Sequence, residues 1–322
     1  MNRRGFIAGM TASLSPGRAG ADTSVPPDLR EAARDAWLFA LPLIEVAALR
    51  ARPNPINGQP GPINAFTHRR SLAGPKARAV TAPNTDTLYS SAFVDTTKGP
   101  VLLEVPDCGK RYLSVQIMDM YTNNNFILSP RTPGSATGAW HLLSPGSEPR
   151  NSRDLRLATP HAWVLARILV DGPSDLPAVQ AIQDRLLLQG PAFPPCITDA
   201  TRSSSWPVYF AAAAQLLKSD PPQFKNGLDA FMMVRDAGNS RDFSRAGYPP
   251  EVAAAIDAGT TEAAAIARSA RLRKGFIDGW TYPRPDLGEF GDHFIFRAIV
   301  AITGLGGPKH RRGDVYAACR RW

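Results

Sequence analysis

Tyr112-Leu113-Ser114-Val115-Gln116-Ile117-Met118 alternates without a break, with Leu113, Val115 and Ile117 on one side and Ser114, Gln116 and Met118 on the other. A period of two marks a half-buried strand, because successive side chains of an extended chain point to opposite faces. Working outward, β-type runs flank it at Ser91–Thr96, Val101–Val105, Trp140–Leu143 and Trp163–Val170. Turn chemistry separates them: Asp107-Cys108-Gly109-Lys110 on one side and Arg131-Thr132-Pro133-Gly134 on the other. Short strands between Gly/Pro turns predict an α+β chain whose N-terminal β domain is an antiparallel barrel or jelly-roll-like sandwich.

Helical periodicity governs the rest. Leu29–Arg50 has helix composition, with Pro42 expected to kink or split it, and Arg52–Pro62 reads as a loop. After Pro173, Ser174 or Asp175 caps a helix expected to run through about Leu188. Further helices are expected at Trp206–Lys218, Gln223–Arg235, Pro250–Ala258, Thr261–Phe276 and Asp292–Ile302. The organisation is then a leader over 1–21, an N-terminal helix and loop over 29–62, an antiparallel β domain over 63–172 and a helical region over 173–322.

The leader reading rests on three parts in order. Asn2-Arg3-Arg4-Gly5-Phe6-Ile7 is a twin-arginine pattern, Phe6–Leu14 is mildly apolar, and Ala19-Gly20-Ala21 is a small-residue cleavage site. The expectation is an exported, periplasmic protein whose mature chain begins near Asp22, with no transmembrane segment, since no run reaches about 18 apolar residues. The formal net charge is +9. Arg3, Arg4 and Arg18 lie in the leader, which leaves +9 − 3 = +6. The clearest basic cluster, Lys309-His310-Arg311-Arg312, reads as a solvated tail, and the lack of an aromatic-interleaved basic stripe argues against nucleic acid as a partner. The 3 cysteines, Cys108, Cys196 and Cys319, contain no C-x-x-C pair, and their pairing is not readable from the sequence.

The densest polar stretch is Asn84-Thr85-Asp86-Thr87-Leu88-Tyr89-Ser90-Ser91. Asp86 is a general acid or base, a metal ligand, or the anchor of a turn that ties down its own backbone. Tyr89 is an oxyanion donor or a buried ring with its hydroxyl satisfied. His68, close before the loop, is the histidine best placed to assist them, and His161 is a weaker candidate. Asp119 and Tyr121, two apart, share a face if the strand continues; with Asn123 and Arg131 they would line a mouth. An Asp119–Arg131 ion pair is the plain alternative. Arg167 lies in an apolar strand and must find a partner if buried: a structural carboxylate, or a ligand that carries one. The five histidines show no metal-binding spacing, so no metal site is signalled and the cofactor is left unnamed. There is no G-x-S-x-G elbow, P-loop or dinucleotide fingerprint.

Asn64-Ala65-Phe66 with His68, Pro83–Ser90, Gly99-Pro100-Val101, Val105-Pro106-Asp107, Arg111-Tyr112, Gln116 with Asp119, Tyr121-Thr122-Asn123 and Arg131-Thr132 together resemble the family of domain of unknown function 1254. The similarity extends through Pro160–Trp163, Arg167, Gly279-Trp280, Gly291, Arg297-Ala298 and Gly304-Leu305-Gly306. The resemblance implies a second β domain after Asp314-Val315-Tyr316, catalogued as domain of unknown function 1214, which is not found before Trp322. It implies no established reaction.

The functional expectation is an exported small-molecule enzyme of hydrolase or lyase type. Asp86, Tyr89 and His68 would be catalytic, and Asn84, Thr87, Asp119, Tyr121, Asn123, Arg131 and Arg167 would bind substrate. The alternative is a non-catalytic envelope binding or assembly protein, completed by a homo-oligomer or a separate partner chain.

Overall fold

The computed structural model describes residues 28–52, 60–74, 84–130, 136–191, 198–269, 286–303 and 305. The leader, Arg131, Cys196, Cys319 and the basic cluster at 309–312 lie outside the described residues.

Nine strands form two sheets among the described residues. They are β1 (Thr67–His68), β2 (Thr87–Asp95), β3 (Val101–Val105), β4 (Leu113–Asp119), β5 (Asn124–Leu128), β6 (Gly138–Leu143), β7 (Asp154–Arg156), β8 (His161–Leu169) and β9 (Leu187–Gln189). One sheet has the order β1-β2-β8-β4-β5, the other β7-β6-β3-β9. Every pairing is antiparallel except β6 with β7. Among the described residues the sheets close no barrel: β1 and β5 are the end strands of one, β7 and β9 those of the other.

Alternation decides what the two sheets share. Leu88, Ala92 and Val94 of β2, Leu113, Val115 and Ile117 of β4, and Ala162, Val164, Ala166 and Ile168 of β8 form one apolar core with Val101, Leu103 and Val105 of β3 and Trp140 and Leu142 of β6. The opposite face of the five-stranded sheet is the outer face.

Among the described residues six α-helices complete the fold: α1 (Leu29–Arg50), α2 (Leu176–Gln183), α3 (Trp206–Ser219), α4 (Leu228–Asp236), α5 (Pro250–Ser269) and α6 (Phe294–Thr303). The helix α1 is the pillar of a second core. Residues 36–44 are all buried, as in a helix surrounded by others, and α1 packs with α3, α4, α5 and α6. It is one helix through Pro42, not two.

Three other expectations need correction. The helix α5 is continuous across the point where two helices were expected, because Gly259 is a close-contact residue: a Cβ there would meet the Arg30 carbonyl oxygen at 2.2 Å. The helix α4 starts at Leu228 rather than near Gln223, after Gly227 adopts a left-handed φ of 91°. Leu187–Gln189 is a strand, because pairing with the edge of β3 and burial of Leu188 outweigh local helix preference.

Candidate functional site

The Asn84–Ser91 stretch divides between two faces of β2. Asn84, Thr85 and Asp86 are exposed, and Val170 N donates to the Asp86 carbonyl at 2.8 Å, which fixes the loop onto β8. The Asp86 carboxylate makes no hydrogen bond or ion pair with a described residue. Asn84 N donates to the Tyr89 hydroxyl at 2.9 Å, so that phenol closes the loop. Thr87 is buried and its Oγ1 has no partner.

His68 stands elsewhere. Its Nδ1 is 2.8 Å from Ser90 Oγ, its ring lies 5.9 Å from that of Phe66, and Gln183 Nε2 donates to the same Ser90 hydroxyl at 3.1 Å. Burial, then the nearby Arg70 charge, lowers the His68 pKa, which keeps the ring neutral. Ser90 and Tyr89 are adjacent on β2 and so point to opposite faces. The fold therefore does not bring Asp86, Tyr89 and His68 together as a catalytic set.

Asp119, Tyr121 and Asn123 are brought together, but in a turn. Asp119 ends β4, so the shared strand face with Tyr121 does not exist. The buried Asp119 carboxylate accepts Tyr121 N and Asn123 N at 2.9 Å each, Asn123 Nδ2 at 2.8 Å and Asn125 Nδ2 at 3.3 Å. Burial pushes this carboxyl up, against the pull of those donors and of the Arg297 charge. Tyr121 leaves the sheet altogether: its ring packs against Phe39 and Phe224, and its hydroxyl donates to the Asp220 carbonyl at 2.7 Å.

The outer face holds the remaining candidate, Arg167. Register places Tyr89 opposite Arg167 and Phe93 opposite Trp163 on one side of β8. On the other side Ser114 lies opposite Arg167, Gln116 opposite Leu165 and Met118 opposite Trp163. Arg167 is 8% exposed. Its Nη1 donates to Gln116 Oε1 at 2.7 Å, and its guanidinium lies 5.6 Å from the Tyr89 ring centre. Gln116 Nε2 in turn donates to Asn124 Oδ1 at 2.6 Å. Met118, Trp163 and Leu165 form an apolar patch beside this relay, against which Leu49, Tyr89, Phe93 and Leu305 pack. Tyr89, Ser91, Phe93 and Asn124 are half-buried, while Ser114, Gln116, Met118, Trp163, Leu165 and Arg167 are buried.

Two clusters were not found from the sequence, which offered His161 only as a weaker candidate and without its partners. His161 Nδ1 lies 3.0 Å from both carboxylate oxygens of Asp220, and its Nε2 lies 3.6 Å from Asp95 Oδ2. Burial alone would lower the His161 pKa, but the two carboxylates outweigh it and the net direction is up. This cluster ties β2 and β8 to the end of α3. Arg297 of α6 reaches the β4–β5 turn, where Nη2 lies 3.4 Å from Asn123 Oδ1. The signal for both was an unusual residue type, a His opening a strand and an Arg in an apolar helix, but their partners are distant in sequence. Among the described residues no group of three His, Cys, Asp or Glu side chains is arranged to hold a metal, and no helix is long and apolar enough to cross a membrane.

Comparison with known proteins gives a family for part of the chain. Residues 63–190 match the family described as Protein of unknown function (DUF1254). That segment contains β1 to β9, the loop at Asp86, the Asp119 turn and Arg167. No curated protein matches. The crystal structure of the VPA0106 protein from Vibrio parahaemolyticus is similar, with a TM-score of 0.60 at 18% identity, over 87% of this chain and 68% of that one. At that identity the likeness is one of fold. A putative uncharacterized protein from Burkholderia cenocepacia aligns at 14% identity and a TM-score of 0.27, over 65% of this chain and 57% of that one.

Proposed function

We propose that the protein binds a small organic carboxylate on the outer face of its five-stranded sheet, with Arg167 as the anchor. The observation that carries this reading is the pairing of an oriented guanidinium with an apolar floor. Gln116 fixes Arg167 at 2.7 Å, and Met118, Trp163 and Leu165 lie beside it. Small-molecule sites combine apolar lining with a few placed polar groups. A guanidinium has five N–H donors in a fixed fork that matches a carboxylate. Tyr89 and Ser91 supply the half-buried rim.

Binding without turnover is preferred to the hydrolase or lyase reading. The Tyr89 hydroxyl serves the loop backbone, His68 is on the other face, and Asp86 stands alone in solvent. Export by a twin-arginine leader, a periplasmic location and completion by a homo-oligomer or partner chain belong to the same proposal. So does a jelly-roll-like reading of the sheets, supported by pairing of β2 with β8 and of β3 with β6.

The test is a thermal-shift screen of mono- and dicarboxylates, esters, sugars and divalent metals against wild type, Arg167→Met and Asp86→Asn. A saturable carboxylate shift, absent in Arg167→Met and kept in Asp86→Asn, is expected. A shift lost only in Asp86→Asn, or ester turnover that needs Asp86, would return the site to the loop and restore the enzyme reading.

A further inference from the structure

His161 opens β8, and each of its ring nitrogens faces a carboxylate. Nδ1 lies 3.0 Å from both oxygens of Asp220, just past α3, and Nε2 lies 3.6 Å from Asp95 Oδ2, at the end of β2. A neutral imidazole donates from one nitrogen and accepts at the other; only the imidazolium donates from both. The arrangement therefore suits the charged ring on both sides and the neutral ring on one.

Among the described residues no other ion pair reaches either carboxylate. Asp220 is 1% exposed, and its other donors, His161 N at 3.1 Å and Ser219 Oγ at 2.9 Å, are neutral. Asp95 Oδ1 accepts Thr97 N and Thr97 Oγ1, which leaves Oδ2 to the ring. The charged groups that face His161 from other elements are Asp95, Asp220 and Arg50 at the end of α1, and only Arg50 acts against the proton. When the proton leaves, Asp220 stays buried without an ion-pair partner, and the Nε2 lone pair faces Asp95 Oδ2. Both changes weaken the junction.

The junction is where α3 meets the sheet. The Asp220 carbonyl accepts the Tyr121 hydroxyl at 2.7 Å, and Gln223 Nε2 donates to the Ala158 carbonyl at 3.1 Å. Neither bond involves a group that titrates near neutrality. The packing of α1 against α5 holds no histidine.

We propose that His161 is a pH-sensitive latch: the protonated ring holds the end of α3 against the ends of β2 and β8, and loss of the proton to solvent lets that corner open while α1 and α5 stay packed. The raised pKa of His161 has the same sense. His161 precedes Trp163 by two residues and so shares its side of β8, which puts the latch at the end of the outer face where Phe93 and Trp163 stack. It uses neither Arg167 nor a ligand, so it stands or falls apart from the carboxylate reading.

The experiment is hydrogen exchange of the full chain, read by mass spectrometry on peptides spanning residues 158–163 and 216–223, with α1 and α5 as the reference. Labelling times are corrected for the intrinsic effect of pH, and low urea separates local from global opening, since global opening exposes far more surface. The corner peptides should exchange several-fold faster as pH rises above about 6.5, ahead of α1 and α5 and without urea dependence. His161→Gln should exchange fast at every pH with no step. Asp95→Asn, which offers an amide NH2 to the Nε2 lone pair, should move the step to lower pH, and it serves if His161→Gln fails to fold. The proposal is overturned by the absence of a step in wild type, by its survival in His161→Gln, or by an unmoved step in Asp95→Asn. Corner peptides that exchange only in concert with α1 and α5, with the same urea dependence, overturn it too.

Discussion

Asp119→Asn is the substitution that separates architecture from chemistry at the β4–β5 turn. It keeps the size of the side chain and the two backbone N–H bonds to Oδ1, from Tyr121 and Asn123. On the other side a new NH2 would face Asn123 Nδ2, now at 2.8 Å, and Asn125 Nδ2, at 3.3 Å. Neither amide can turn over to help. Asn123 Oδ1 accepts Phe290 N and Arg297 Nη2, and Asn125 Oδ1 accepts Ala158 N at 2.9 Å. Two buried hydrogen bonds are therefore lost and donors meet donors, at about 1–3 kcal/mol each. The weaker geometry at Asn125 places the total near 3 kcal/mol. The assay is urea unfolding followed by far-ultraviolet dichroism and tryptophan fluorescence, with an unchanged denaturant slope. A loss below about 1 kcal/mol would refute this account of the turn. A well-folded variant that loses ligand binding would give Asp119 a chemical role instead.

Three further outcomes are expected. Gly259→Ala gains about 1 kcal/mol of helix propensity but drives a Cβ to 2.2 Å from the Arg30 carbonyl oxygen, 2.8 Å from Ala33 Cβ and 3.0 Å from Arg34 N. Overpacking of about 1–3 kcal/mol or more should win, so a lower urea midpoint is expected and an unchanged or higher one would contradict the close crossing of α1 and α5. For His161 the folded pKa is raised. Its contribution should be fully present below the unfolded value of about 6.5 and fade as pH rises through the folded value. Melting temperatures of wild type and His161→Gln should therefore converge as pH rises above about 6.5, and a gap that widens with pH would contradict the assigned charge. Asp86→Asn should alter stability by no more than about 0.5 kcal/mol, because the carboxylate is exposed and unbonded; a larger loss in the same melts would show a hidden structural role.

What was legible in the sequence was what local periodicity encodes. The alternation of Tyr112–Met118 located β4, and the apolar run at Trp163–Val170 located β8. Arg167 stood out because a cation in an apolar strand needs a reason. Local pattern could not show which residues meet across the fold. His68 looked close to Asp86, but strand pairing with β2 turns it onto Ser90. Tyr121 looked like a strand residue, yet β4 ends at Asp119 and the ring enters the helical core. Gly259 read as a helix break because a glycine demanded by a neighbouring helix looks the same in sequence as one that ends a helix. The Asp220–His161 cluster and the Arg297–Asn123 contact join residues 59 and 174 positions apart, and they exist only once the helices dock on the sheet.

The central claim is that the outer face of the five-stranded sheet, anchored on Arg167, is where a ligand sits. A crystal structure of the protein soaked in the carboxylate that raises its melting temperature most tests this directly. The expected density places the carboxylate about 2.7–3.0 Å from the Arg167 guanidinium, with the ligand's apolar part on Trp163 and Leu165. Density confined to the Asn84–Asp86 loop, or an outer face unchanged from the unliganded protein, would contradict the claim.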